Sequence, residues 1–230
     1  YSGSGDDVEL PGFLDGPVVR RFQDGRWQAL WFCEREVFER KGEGDLLDVS
    51  CAGKAVHFPL SQPRVPAPVA AMPTKLAVLS DIEGNAVFLD GALRALAIVD
   101  GNGAWTYGSG HLVVLGDSVD RGRDVFPVLW TLYRLSLQAE AAGGAVHVVL
   151  GNHEQYLLHS NISRANPEHL YTLGRLGGPE AAFATDTLIG GWLRRMPVAL
   201  RLGRVLFVHG GVSTATVDAG MSVESLNTAI

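Results

Sequence analysis

The chain has 230 residues, of which 47% are hydrophobic and 19% charged, and its formal net charge is −6. That length accommodates one large domain and a small one. The acidic balance and the lack of a Lys/Arg stripe argue against a nucleic-acid surface, and no apolar run approaches the ~18 residues that mark a membrane-spanning helix.

The first residue is Tyr1 rather than Met. A segment upstream is therefore expected, and a periplasmic or secreted location is slightly favoured over a cytoplasmic one. Residues 1–62 read as a small β-rich unit with a frayed polar start over residues 1–9. Asp15-Gly16 and Asp24-Gly25 are turn signals. Around them lie the aromatic and β-branched runs VVRRF, RWQALWFC, EREVFER, LLDVSC and KAVHFPL, which predict a meander or half-sandwich. Cys33 and Cys51 fall near the ends of two such strands. One disulfide and two buried thiols both fit them, whereas zinc sites usually need more sulfur or nearby histidines. Residues 63–74 hold four prolines and read as an extended linker.

From Lys75 to Ile230 the pattern changes to strand, loop and helix. KLAVLS predicts a strand and Ala86–Ile98 a helix. The strand HLVVL follows a Gly-rich loop. Val125–Ala141 predicts a second helix, ended by Gly143-Gly144, and AVHVVL a third strand. Residues 155–195 read as mainly helical, broken at Pro167, Gly177-Gly178 and Gly190-Gly191. VALRL and RVLFVH predict a hairpin around Gly203. The alternation implies an α/β domain with a central sheet.

Four apolar strands end in polar, glycine-containing loops: DIEGN at Asp81–Asn85, GDSVDRG at Gly116–Gly122, GNHE at Gly151–Glu154 and HGG at His209–Gly211. Open α/β sheets bind ligands at the carboxyl ends of their strands. If the strands are neighbours, the loops gather Asp81, Glu83, Asp117, Asn152 and His209 at one end of one sheet. This oxygen-rich set with one imidazole suits one or two divalent ions such as manganese, iron, zinc or magnesium. Asp117 is placed to bridge two of them. Ions ~3.5–4 Å apart clamp a phosphoryl group and lower the pKa of a bound water towards ~7. His153 suits a general acid steered by Asp120, and the planar fork of Arg121 suits phosphate oxygens. His111, His147, Trp105, Tyr107, Trp130 and Tyr133 read as packing residues, and Arg194 and Arg195 as a solvated pair.

Over residues 75–220 the motifs GDSVDRG, GNHE and HGG resemble those of the PPP-type, calcineurin-like metallophosphoesterases, with DIEGN in the place of that family's first motif. The β-rich preamble, the SDxEGN form and the WLxRxP segment look most like bacterial Shewanella-like phosphatases, some described as tyrosine phosphatases. The resemblance implies a metallophosphoesterase sheet-and-helix domain preceded by a small β unit. It implies two divalent ions, with Asp81 on the first, Asp117 bridging, and Asn152 and His209 on the second. His153 would be the general acid paired with Asp120, and Arg121, with Asn152, would contact the substrate phosphate. The implied reaction is hydrolysis of phosphate monoesters, on a phosphorylated protein (phosphotyrosine included) or a small phosphomonoester. The rivals are hydrolysis of dinucleoside polyphosphates and a pseudophosphatase that binds without turnover.

Two departures from the family pattern stand out. The usual Asp-x-His is here Asp81-Ile82-Glu83. Glu83 is expected to offer a metal an oxygen in place of the histidine nitrogen, with a hydrogen bond to metal-bound water, or a weakened first site, as the other readings. The family also carries a metal-binding histidine well downstream of HGG. None lies between Gly211 and Ile230, so the domain is expected to be incomplete at its C-terminal end.

Overall fold

A computed structural model describes residues 8–228 of the chain, so the expected fraying over residues 1–7 lies outside the described part. Strands β1 (Leu14–Arg21), β2 (Arg26–Cys33) and β3 (Glu36–Glu43) form an antiparallel meander. β4 (Leu46–Cys51) and β5 (Lys54–Pro59) form a separate hairpin. β4 alternates strictly between exposed and buried residues, as expected of a sheet with one face on the core. A disulfide joins Cys33 at the end of β2 to Cys51 at the end of β4, with Cα atoms 5.7 Å apart, which decides between the two cysteine readings.

Asp15-Gly16 is not a turn. It lies inside β1, where the register against β2 shifts between Asp15 and Val18. The irregularity turns the Asp15 carboxylate inward, fully buried. There it accepts from Gly16 N at 3.1 Å, from His169 Nδ1 at 2.9 Å and from Thr172 Oγ1.

The short strand β6 (Val69–Ala70) falls in the proline-rich stretch. Then come β7 (Leu76–Leu79), α1 (Ala86–Ala95), β8 (His111–Leu115), α2 (Val125–Ala141) and β9 (Ala145–Val149). β7, β8 and β9 form a parallel sheet in that order. Four helices follow: α3 (Asn152–Leu158), α4 (Pro167–Arg175), α5 (Gly178–Ala182) and α6 (Leu188–Leu193). The chain then makes the hairpin β10 (Ala199–Leu202) and β11 (Val205–Val208), and helices α7 (Thr214–Asp218) and α8 (Val223–Thr228). Gly190-Gly191 does not break the helix, because Thr187 caps α6. A side chain at Gly190 would sit 2.4 Å from the Ala184 carbonyl oxygen, so the glycine permits a close approach.

The expectation of one central sheet is corrected. β10 pairs with β11 and, in parallel, with β6, forming a second three-stranded sheet outside the β7-β8-β9 ladder. The two sheets pack through Val113 and Val149 on one side and Leu200 and Leu202 on the other. This is why β8 and β9 are almost uninterrupted apolar runs: one face meets helices and the other meets the second sheet.

Helix α2 is buried on nearly every side, including Phe126, Trp130 and Tyr133. One apolar core runs from Phe13, Val19 and Trp27 to these residues. Trp130 Nε1 donates to the Pro17 carbonyl at 3.0 Å, and Tyr133 OH to the Ser61 carbonyl at 2.9 Å. Among the described residues no helix is long and apolar enough to cross a membrane.

Candidate metal centre and its surroundings

Asp81 follows β7, Asp117 follows β8, and His209 follows β11 on the second sheet. The site therefore lies where the ends of two sheets meet. One ligand atom from each of the three residues lies within 4.8 Å of the others. His209 Nδ1 is 2.8 Å from the Leu115 carbonyl, to which its N–H donates, and Nε2 is 3.1 Å from Asp117 Oδ2. The carbonyl thus fixes the tautomer and aims Nε2 at the acids. Burial pulls the His209 pKa down, but the Leu115 carbonyl and the charges of Asp117, Asp81 and Glu154 outweigh it and hold it above the ordinary value. Ser80 Oγ lies 3.0 Å from the Leu115 carbonyl and within hydrogen-bond reach of Asp81 Oδ2, and its single hydrogen donates to one or the other.

Asp81, Glu83, Asp117, Asp120 and Arg121 all have φ between +52° and +67°. Asp tolerates the left-handed region because its short side chain bonds locally, whereas Glu and Arg have no such excuse. Strained backbone of this kind persists where surrounding contacts over-determine it. Here the 81–85 and 116–122 loops bind each other: Glu83 N donates to Asp117 O at 2.9 Å, Gly84 N to Ser118 O at 2.9 Å, and Gly122 N to Glu83 O at 2.8 Å.

His153 lies in the first turn of α3 and is buried, as is Asp120. His153 Nδ1 is 2.9 Å from Asp120 Oδ2, and Nε2 is 3.8 Å from Asp117 Oδ2. The His153 backbone N–H donates to Asp117 Oδ1 at 3.1 Å. Asn152 is exposed and lines a cleft of about 490 Å³ with His209, Gly210, Gln155 and Thr216. Arg121 points outward beside Asp81 in a second cleft that also includes Asn85 and Phe88.

Glu83 does not join the group of Asp81, Asp117 and His209. Its carboxylate instead pairs with Arg121, Oε1 to NH1 at 2.8 Å. The interlocked loops turn the side chain toward the arginine, so Glu83 makes an ion pair beside the Asp81, Asp117 and His209 group. Arg194 and Arg195 are both exposed, as expected of a solvated pair, and the Arg194 guanidinium also donates to the Phe183 and Gly190 carbonyls.

Two contributors to the site carry no assigned role in the sequence motifs. Glu154 is fully buried and accepts backbone N–H groups from Gly151 at 2.8 Å, Asp117 at 2.9 Å and Ser118 at 2.6 Å, tying the GDSVDRG and GNHE loops together. Burial pushes its carboxyl pKa up against those three donors, and Asp117 adds to the rise. A Glu in the third position of a helix behind a glycine was the available signal. Ser80 gives no local signal.

Two apposed sheets with an Asp/Asp/His group at their loop ends define a metallophosphoesterase arrangement. The pattern of the calcineurin-like phosphoesterase family matches residues 74–228, and the chain belongs to that family. Shewanella-like protein phosphatase 2 of Arabidopsis thaliana is 34% identical over 82 residues, covering 36% of this chain and 21% of its own. The symmetrical bis(5'-nucleosyl)-tetraphosphatase of Janthinobacterium sp. is 37% identical over 121 residues, covering 50% of this chain and 40% of its own. The chain thus spans less than half the length of either relative. The crystal structure of the cold-active protein-tyrosine phosphatase of a psychrophilic Shewanella sp. superposes with a TM-score of 0.88 at 30% identity, covering 94% of this chain and 67% of that one.

Proposed function

We propose that this protein is a metal-dependent phosphatase that hydrolyses phosphate monoesters on proteins, phosphotyrosine among them. The observation that carries the reading is the convergence of Asp81, Asp117 and His209 beside the buried His153–Asp120 pair. The likeness to a Shewanella protein-tyrosine phosphatase supports the substrate class.

The donor set fits divalent ions. It offers two carboxylates and an imidazole whose other nitrogen is held by a carbonyl, the usual support for a metal-binding histidine. Asp81 would hold a first ion, Asp117 would bridge, and His209 with the Asn152 side chain would hold a second, drawn from manganese, iron, zinc or magnesium. When bound, such ions lower the pKa of a water and draw charge from the phosphoryl oxygens. His153, in its protonated form, gives the Nε2 proton to the leaving oxygen while Asp120 holds Nδ1–H. Arg121 presents its fork to the phosphate. The Cys33–Cys51 disulfide supports a periplasmic or secreted location.

The likeness to a bis(5'-nucleosyl)-tetraphosphatase favours a second reading, hydrolysis of dinucleoside polyphosphates. Turnover of a phosphotyrosyl peptide, a phosphoseryl peptide and a dinucleoside tetraphosphate by the manganese-loaded full-length protein separates them. The highest kcat/KM on a phosphopeptide is expected. Preference for the dinucleotide moves the assignment to the second reading, and no turnover with any divalent ion ends both.

A further inference from the structure

We infer that Glu83 is the positioning residue of Arg121, holding the guanidinium in place for a substrate phosphate. This rests on the proposed role of Arg121 in gripping phosphate. Glu83 Oε1 lies 2.8 Å from Arg121 NH1. A guanidinium has five N–H donors, so engaging one terminal nitrogen leaves donors free for phosphate oxygens.

The backbone at both ends of the pair is fixed. Glu83 N donates to Asp117 O at 2.9 Å and Gly122 N to Glu83 O at 2.8 Å, so Glu83 is built onto the loop that carries Arg121. A Cβ at Gly122 would fall 2.2 Å from Gly84 O, which shows how closely the loops interlock. Arg121 N donates to Arg164 O at 3.2 Å, and Asn166 Nδ2 to Arg121 O at 3.2 Å. Both residues adopt left-handed backbone, with φ of +52° and +54°. The Arg121 side chain, by contrast, is 55% exposed and that of Glu83 29%. Little packing therefore restrains the arginine beyond its base, and a long side chain in solvent samples many rotamers. An ion pair this exposed contributes little to folding. Its value lies in ordering a group before the ligand arrives.

The test is calorimetry of inorganic phosphate binding to the manganese-loaded full-length protein, with metal content and Tm measured on every variant. Glu83→Ala is expected to weaken phosphate binding about 3- to 10-fold, the worth of ordering one long side chain. KM for an aryl phosphate should rise by the same factor with kcat nearly unchanged, as for lost uniform binding. Metal content and Tm should not move. Glu83→Gln keeps an acceptor oxygen and should restore most of the affinity. Glu83→Ala should have no further effect once Arg121 is alanine, because coupled residues are not additive. Loss of metal in Glu83→Ala, unchanged or tighter phosphate binding, or full additivity with Arg121→Ala overturns the inference. Unchanged phosphate binding in Arg121→Ala itself removes Arg121 from the phosphate site, and this inference falls with it.

Discussion

Nδ1 of His153 and Oδ2 of Asp120 are 2.9 Å apart, and both side chains are buried beside Asp117. A carboxylate on one ring nitrogen leaves the other to face the reacting atoms, so the pair has the form of an oriented acid. His153→Asn is expected to retain metal and to lower kcat by roughly 10²–10⁴-fold, the usual worth of acid–base catalysis. Metal analysis with steady-state kinetics checks this, and an unchanged kcat removes His153 from the mechanism.

Glu154 links two loops through three backbone donors. Glu154→Ala strands those donors in the interior at about 1–3 kcal/mol each. The expected fall in Tm is ~2–4 °C per kcal/mol for a chain of this size, so a drop of at least about 6 °C should appear in a thermal melt. Glu154→Gln should lie between the two, because one carboxylate oxygen is replaced by a donor.

His147 Nε2 and His111 Nδ1 are 3.0 Å apart, on the neighbouring strands β9 and β8, with His111 at the start of β8, opposite the end that leads to Asp117. Burial, and then the neighbouring His111, pull the His147 pKa down to about 4. Burial lowers that of His111 as well. A histidine lowered below its unfolded value is neutral in both states above about pH 6.5, and the unfolded chain binds more protons below it. Stability should therefore be level above about pH 6.5 and fall as the pH drops towards about 4. Replacing His147 with Phe should flatten that limb in urea titrations at several pH values, and an unaltered slope contradicts the assignment.

The disulfide closes a sequence separation of 18 residues between β2 and β4. By the chain-entropy relation its removal costs about 3 kcal/mol. The Cys33→Ser/Cys51→Ser double variant should unfold at lower urea while retaining metal, since the site loops lie on other elements.

The strands of the parallel sheet and the loops that end them were legible because each signal is local: an apolar run, then glycine and an acid. The strand and hairpin that carry His209 are legible in the same way, but the sheet they join is not. The His209 strand follows β10, whose parallel partner β6 lies in a stretch whose prolines read as a linker, so the second sheet was invisible to local pattern. The direction of the Glu83 side chain is not legible in the motif, because it depends on how two loops interlock. Asp15-Gly16 carries a turn signal yet lies within β1, because the partners of the Asp15 carboxylate, His169 and Thr172, are 154 and 157 residues away. Local chemistry, by contrast, sufficed for the His153–Asp120 pairing, since the two motifs follow neighbouring parallel strands.

The proposed function rests on Asp81, Asp117 and His209 holding the ions on which phosphomonoester hydrolysis depends. Its most direct test is hydrolysis of a chromogenic aryl phosphate by the full-length protein, stripped of metal and then titrated with manganese, beside the Asp117→Asn variant. Turnover is expected to appear with the ion in the native protein, and both ion binding and turnover to be lost in the variant. Turnover in the metal-free protein, or an Asp117→Asn variant that binds the ion and turns over normally, would contradict it.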